Sequence, residues 1–444
     1  MSFSSYPTYK DSNIEWLSSI PVDWQFSKLK FVTTCNDEVL PENFDPEEEI
    51  NYIEISDVSL NLGVTNLSTL AFGVAPSRAR RVVRHGDILI STVRTYLKAI
   101  AQVTYPEPKT IASTGFAVIR PKESYSTSGF LKHLAHAEGF IGEVISRSTG
   151  VSYPAINASE LISIDLPLPP INEQTQIVRF LDHEVGKIDA LIAEQEKLIA
   201  LLKEKRQAVI SHAVTKGLNP DVPMKESGVE WLGQVPEHWL VKKFGFLANV
   251  VRGGSPRPAG DPELFNGDFS PWVTVAEITK DDSIYLNETE SFLTQKGSEQ
   301  CRVFKSGTLV LSNSGATLGV PKILAIDANA NDGVVGFEDL KISSVFCYLL
   351  LDSMTVDLRE RVKQGSGQPN LNTDIVKNIF IAVPPTEEIE NIVNFSLKVR
   401  EQFSKLINEA ATFSNLLSER RSALISAAVT GKIDVRGWQP PAAQ

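Results

Sequence analysis

The densest chemistry in the sequence is a run of cations. Arg78, Arg80, Arg81, Arg84, Arg94 and Lys98 stand against Asp87 alone between positions 78 and 98. Ser91, Thr92 and Tyr96 are interleaved with them. Arginine and lysine neutralise phosphates, arginine pairs bidentately with guanine, and serine or threonine contacts phosphate or base edge, so this mixture suits DNA. Solvated arginines along a strand edge are the competing reading. A second set lies in Arg252-Gly253-Gly254-Ser255-Pro256-Arg257 and in Ser312-Asn313-Ser314. There Arg252, Ser255, Arg257 and the Ser312, Asn313 and Ser314 side chains are candidate contacts, and the glycines would let backbone N–H groups approach a phosphate. A plain loop fits the same residues. Ser152 and Tyr153, in Ser148-Thr149-Gly150-Val151-Ser152-Tyr153-Pro154, and Gln368, in Gly365-Ser366-Gly367-Gln368-Pro369, are read as DNA-facing loops or as structural turns.

No catalytic engine accompanies these residues. The sequence has no GxxxxGK[ST] loop, no GxGxxG after a strand and no HExxH, and its six histidines do not cluster at metal-ligand spacing. Neither Leu168-Pro169-Pro170-Ile171 nor Val383-Pro384-Pro385-Thr386 carries the polar residue and the aromatic that flank the prolines of an amino-methyltransferase motif. Cys35, Cys301 and Cys347 form no CxxC pair, which argues against a zinc site and a disulfide framework. No catalytic residue, metal or cofactor is therefore assigned. The net charge of −11 counts against nucleic acid only as a sum, because phosphate binding depends on local Lys and Arg. The acidic stretch from Asp37 to Glu54, which has no base, reads as a solvated face.

The elements that must position the candidate residues come twice. Ile14-Glu15-Trp16-Leu17 with Pro21 and Trp24 returns as Val229-Glu230-Trp231-Leu232 with Pro236 and Trp239, 215 residues on. Pro169-Pro170 answers Pro384-Pro385, and Ala213-Val214-Thr215 answers Ala428-Val429-Thr430, at the same offset. In each copy short strands come first: Tyr52–Ile55, Asp87–Ile90 and Phe116–Arg120, then Trp272–Val275 and Thr308–Leu311, with Gly86 and Gly307 as entry turns and helix around 129–146. After the prolines, which oppose helix, each copy turns helical. Asn172-Glu173 and Thr386-Glu387-Glu388 supply first-turn polar groups.

Each helix carries heptads. One seam is Leu181, Ile188, Gln195, Leu202 and Val209, and a second is Ile177, Glu184, Leu191, Leu198 and Lys205. The offset carries them to Ser396, Phe403, Ala410, Leu417 and Leu424, and to Ile392, Val399, Leu406, Phe413 and Arg420. A helix buried against its own domain is the alternative; two such helices favour packing on each other. The expected fold is α+β: two globular domains separated by two long antiparallel helices forming a coiled coil, a pseudo-two-fold internal repeat. The expected boundaries are 1–168 and 217–383 for the domains, 169–216 and 384–434 for the helices, and 435–444 for a tail. No stretch is apolar enough to span a membrane, and the first residues lack a secretory signal, so a soluble, cytoplasmic protein is expected.

Taken in order, the Tyr9-Lys10-Asp11-Ser12 to Trp24 opening, the Arg252-Gly253-Gly254-Ser255-Pro256 turn, and Leu168-Pro169-Pro170-Ile171-Asn172-Glu173-Gln174 leading into Ala208-Val209-Ile210 resemble specificity subunits of type I restriction–modification systems. The resemblance covers nearly the whole chain. It implies a non-catalytic subunit with two target-recognition domains, each reading one half of a bipartite asymmetric site in double-stranded DNA. The helices would set the gap and dock two methyltransferase subunits, which bind S-adenosylmethionine themselves and modify adenine. ATP-driven restriction subunits would join the larger complex. In the second copy Glu173-Gln174 becomes Glu388-Ile389, which would weaken a second docking face if that pair meets a partner. A protein-only coiled-coil scaffold and a compact single-chain nuclease or methylase are the competing functions.

Overall fold

The computed structural model describes residues 3–104, 107–315, 317–362 and 370–441. The chain forms two compact units: Met1–Glu196 with Ala411–Gln444, and Lys197–Ala410. Each unit therefore owns one globular domain and half of each long helix.

In the first unit the strands used below are β1 (Gln25–Lys28), β2 (Thr33–Cys35), β3 (Glu49–Ile53), β4 (Ser68–Ala71), β5 (Ala79–Val82), β6 (Ile88–Ser91), β7 (Ile100–Gln102), β8 (Thr110–Ser113) and β9 (Phe116–Pro121). Helices α1 (Ser128–Ala135), α2 (Glu138–Ser146) and α3 (Ala158–Leu161) follow, then β10 (Asp165–Leu168) and the 46-residue helix α4 (Ile171–Lys216). The second unit has β11 (Leu240–Lys243), β12 (Asn249–Arg252), β13 (Phe265–Val273), β14 (Tyr285–Leu286), β15 (Phe292–Leu293), β16 (Val303–Phe304), β17 (Leu309–Ser312), β18 (Pro321–Leu324), β19 (Ala328–Ala330) and β20 (Val334–Glu338). It continues through α5 (Ser344–Val362), α6 (Thr373–Lys377) and β21 (Phe380–Val383) into the 44-residue α7 (Thr386–Val429).

The sheets repeat. In the first unit the orders are β7-β6-β9-β2 and β4-β3-β8-β5; in the second they are β14-β18-β17-β20-β12 and β15-β13-β19-β16. The second copy thus adds one strand to the first sheet. Registers agree as well: Ser91 pairs with Phe116 as Ser312 pairs with Val334, and β3 runs parallel to β8 as β13 runs parallel to β19. The central strands β6 and β17 are buried on both faces, which is why they read as unbroken apolar runs. Gly86 and Gly307, at φ of 89° and 88°, make the turns into them in a conformation that disfavours a side chain.

The proline segments are strands: β10 pairs with β1 and β21 with β11, each tying the start of a long helix to the opening of its own domain. Helix begins directly beyond the prolines, the Glu173 and Gln174 amides donating to Pro170 and the Ile389 amide to Pro385. Within the first unit the two helix halves run antiparallel. Asp189 pairs with Arg421 at 2.7 Å, and Gln176 further back donates to the Val435 carbonyl beyond the end of α7. In the second unit Arg206 donates to Ser404, and Ile210, Ala213 and Val214 share a core with Ile389, Ile392 and Val399.

One heptad seam is corrected. Leu181 and Ile188 are buried, and the flank that accompanies them is Val185, Ile192 and Ile199, four residues on. In α7 the matching positions Ser396, Ala410 and Leu417 are buried, accompanied by the half-buried Arg400, Ile407 and Arg421. Beyond its first turns the other expected seam faces outward. Leu191 and Leu198, with their counterparts Leu406 and Phe413 and the neighbouring Leu201 and Leu416, are between 40 and 56% exposed. The sequence pattern supports both seams because both rows are apolar.

The Glu173-Gln174 expectation also changes. Glu173 is buried and accepts the Trp24 indole N–H at 3.0 Å and the Tyr6 hydroxyl. Gln174, fully buried, accepts the Thr127 amide and donates to the Tyr125 and Pro169 carbonyls, each at 2.9 Å. The pair clamps the helix to its own domain and is not free to meet a partner. The second copy keeps the indole contact, Trp239 to Glu388 at 2.8 Å, with His238 as the other neighbour.

Among the described residues, no helix is long and apolar enough to cross a membrane, and no His, Cys, Asp and Glu side chains gather into a group that could hold a metal ion.

Candidate nucleic-acid interface

The cation run of the first unit divides between the two ends of β6. Arg84 lies before that strand, where its amide donates to Asp87. Arg94 lies after it, beyond a four-residue strand about 13 Å long. The upstream arginines have partners inside the chain: Arg78 pairs with Glu54 and donates to the Tyr52 hydroxyl, and Arg84 pairs with Glu38. Arg80 covers the Phe72 ring at 4.8 Å, and the half-buried Arg81 has a buried Nε with no hydrogen-bond partner. The acidic stretch is therefore not merely a solvated face. Asp37, Glu38, Glu48 and Glu54 pair with Arg120, Arg84, Lys109 and Arg78.

Downstream of β6 the picture differs. Arg94 and Lys98 flank a single 3-10 turn, Thr95–Leu97, and both adopt the left-handed conformation, φ 49° and 53°. For residues with a Cβ this costs roughly 1–2 kcal/mol each. The second unit places Gly315 and Gly319 at the equivalent points after β17, φ 80° and 86°. One copy thus meets the backbone requirement with glycine, and the other carries two cations there against the cost. Strain retained at charged, exposed side chains points to a functional surface.

The loop before the proline strand completes this face. The Arg94 amide donates to Pro154 at 2.7 Å, the Ile156 amide to Thr92 at 2.9 Å, and Val93 bridges Ala155. The Arg94 guanidinium lies 4.7 Å from the centre of the Tyr153 ring, a cation–π contact that orients an otherwise flexible side chain. Arg94, Tyr96, Lys98, Ser152 and Tyr153 are together and exposed. Ser91 and Thr92 are instead internal, their hydroxyls donating to the Val93 and Gly115 carbonyls.

The second unit builds its counterpart differently. The Leu371 amide donates to Asn313 at 2.8 Å and Ser314 bridges Asn370, so the same two loops meet. Ser312 and Asn313 are fully buried: Ser312 donates to the Thr317 carbonyl, Asn313 reaches the Asp332 carbonyl at 3.3 Å, and the Asn313 Oδ1 has no partner. Gln368 lies outside the described residues.

The exposed cations come from the end of β12 and the segment after it. The amides of Gly253 and Gly254, expected to face phosphate, are used internally, donating to Val334 and Ala330 at 2.9 Å. A Cβ at Gly253 would sit 2.3 Å from the Asn331 carbonyl oxygen, so this glycine seats the loop on the β19–β20 turn. The loop offers side chains. Arg252 donates through Nε to the Asp332 carbonyl at 2.6 Å, Ser255 donates to the Asp332 carboxylate, and the Arg257 amide donates to Gln300 at 3.0 Å. The Ser255 hydroxyl, assisted by the charges of Arg252 and Arg257, holds the Asp332 carboxyl below the usual carboxylate range.

Asp332 escapes sequence reading as a site residue. Its only local signal is Asn331-Asp332-Gly333, the composition of a tight hairpin turn. Nothing in that signal reveals that the segment 80 residues upstream is anchored there.

The sequence profile described as the type I restriction modification DNA specificity domain matches twice, over residues 21–201 and 236–410. The chain is 24% identical over 429 residues to the type I restriction enzyme MjaVIII specificity subunit of Methanocaldococcus jannaschii, covering 89% of this chain and 93% of that one. It is 22% identical over 452 residues to the EcoKI specificity subunit of Escherichia coli, covering 95% and 91%. A chain from a structure addressing complex assembly and conformational transition of the type I R-M system superimposes with a TM-score of 0.68 over 93% of this chain and 99% of its own, at 23% identity. With both of its repeats matched, the chain belongs to the type I restriction modification DNA specificity family.

Proposed function

We propose that the protein is the non-catalytic DNA-recognition subunit of a type I restriction–modification complex, each unit reading one half of a bipartite, asymmetric double-stranded site. The carrying observation is the left-handed pair Arg94 and Lys98 with Tyr153 over the arginine, set where the other copy has glycines. A family whose described domain is one of DNA specificity supports the same reading. Because the exposed groups differ between copies while the strand frame repeats, the two half-sites differ in sequence.

The long helices set the gap between half-sites and receive two methyltransferase subunits, with restriction subunits joining the assembly. The outward apolar rows support this docking. Leu191, Leu198 and Leu201 on α4 return 215 residues later as Leu406, Phe413 and Leu416 on α7, so each helix offers an equivalent patch. The adenine methylation chemistry and its S-adenosylmethionine belong to those partners.

Binding of a random duplex library to the chain co-expressed with its host methyltransferase subunit, followed across a salt series, tests the reading. The expected result is enrichment of a two-part sequence and an affinity that falls with salt. Absence of affinity for any duplex, even at low salt, would leave a protein-only scaffold as the better account.

A further inference from the structure

We propose that Asp332 is a positioning residue of the second reading face: its carboxylate holds the Arg252–Arg257 loop in the arrangement that discriminates bases of the second half-site. The proposal rests on the DNA-recognition reading above and deepens it.

A carboxylate among exposed arginines is a liability on a surface meant for phosphates, because like charges repel. Here it is committed inward. Asp332 accepts the Ser255 hydroxyl through its side chain and, through its carbonyl, the Arg252 Nε and the Asn313 side-chain Nδ2. One residue therefore ties together three groups from two segments that are far apart in sequence.

The first unit provides a comparison. Its β8–β9 turn is built like the β19–β20 turn: the Gly115 amide donates to the Ser113 hydroxyl at 3.2 Å, as the Gly333 amide does to the Asn331 side-chain oxygen at 3.0 Å. The Thr92 amide donates to Gly115, as the Asn313 amide donates to Gly333, at 2.8 and 2.9 Å. Thr114 occupies the position of Asp332. The strand β2 there leads through Asn36 into Asp37 and Glu38, two acids that pair with Arg120 and Arg84, and not into a basic loop. The acid in the turn occurs in the copy that has the basic loop to hold.

Base discrimination depends on where an arginine is placed more than on its charge, since a long side chain loses rotamer freedom on binding unless it is ordered beforehand. Asp332→Ala removes the carboxylate anchor and leaves the carbonyl anchor of Arg252 and the Gly253 and Gly254 amide bonds in place. Selectivity should fall while the fold and the general attraction for DNA remain.

The experiment is enrichment from a random duplex library by the chain co-expressed with its host methyltransferase subunit, with Arg94→Ala identifying which part of the enriched sequence the first unit reads. Asp332→Ala is expected to lower enrichment at the other part about fivefold or more, to leave the first part intact and to keep binding of unselected duplex within about twofold. Ser255→Ala should act in the same direction. Asp332→Asn, which keeps an acceptor for Ser255, should retain most of the selectivity. Equal losses at both parts, or no loss in Asp332→Ala and Ser255→Ala, would overturn the positioning role while the DNA reading stands. Should Asp332→Ala fail to fold, Ser255→Ala decides. Failure of the unaltered chain to enrich any sequence would remove both proposals.

Discussion

Of the two proposed reading faces, the first has its arginine against an aromatic ring and the second has its loop tied to a carboxylate. In the first, Arg94 is held from outside by Tyr153 and from below by a strained backbone. In the second, Arg252 and Ser255 are held by Asp332, and glycines take the strained backbone positions. The frame beneath repeats its central strand order and register, with one strand added in the second copy. Divergence is greatest in what stands on the frame, where each copy holds its cations with the restraint its own neighbours supply.

The largest expected effect concerns the frame and its more unequal clamp. Gln174→Ile installs the residue that the second copy carries at Ile389. It would leave the Thr127 amide and the Tyr125 and Pro169 carbonyls without their buried partner. Orphaned buried groups cost about 1–3 kcal/mol each, shared losses being less than additive, so a destabilisation of about 3 kcal/mol is expected in denaturant unfolding. A change below about 1 kcal/mol would show that the two copies attach their helices equally well.

Next comes the arginine itself. Arg94→Ala should weaken binding at the first half-site by about 10- to 100-fold, the worth of one good bidentate contact, and leave selectivity at the second half-site unchanged. Arg94→Gly separates the backbone from the side chain. It should bind as poorly as the alanine variant yet melt higher, because glycine takes φ 49° without penalty. A uniform loss across all sequences would make Arg94 a phosphate contact.

Much of this molecule was legible in its sequence because its regularities are local or repeated. The duplication, the buried strands 88–91 and 309–312, the proline-to-helix switch and the Leu181 heptad row all follow from spacing. What escaped depends on three-dimensional neighbours. Both apolar rows of α4 satisfy a heptad, and only packing shows that Leu191 and Leu198 face outward. Arg78 and Arg84 look like ligand-binding cations until the acids 24 and 46 residues upstream are found beside them. Gly253 and Gly254 resemble a phosphate cradle until their amides prove to be used by the next turn.

The indole clamps give a smaller contrast. Glu173 is buried beneath Trp24 and Tyr6, whereas Glu388, which accepts from Trp239 and His238, has a side chain 41% exposed. Glu173→Gln should cost about 1.5 kcal/mol, because a charge-assisted acceptor of two donors is lost out of water. Glu388→Gln should cost less than about 1 kcal/mol, water screening the same loss. Equal costs would mean that burial does not separate the two clamps.

The smallest expected effect is an absence of change, and it sharpens the comparison between a ring and a carboxylate as restraints. A carboxyl held below its ordinary pKa contributes order that is fully present above the unfolded value of about 3.9 and is lost as pH falls through the folded value. Asp332 is held in that direction, first by the Ser255 hydroxyl and then by the arginine charges. Selectivity at the second half-site should therefore stay flat from pH 8 to pH 5, as it should at the first, where a tyrosine ring restrains an arginine. A bound phosphate close to Asp332 would raise its pKa and bring its titration into this window. A fall in second-site selectivity near pH 6, with the first site steady, would thus mean that the carboxylate meets the DNA backbone directly.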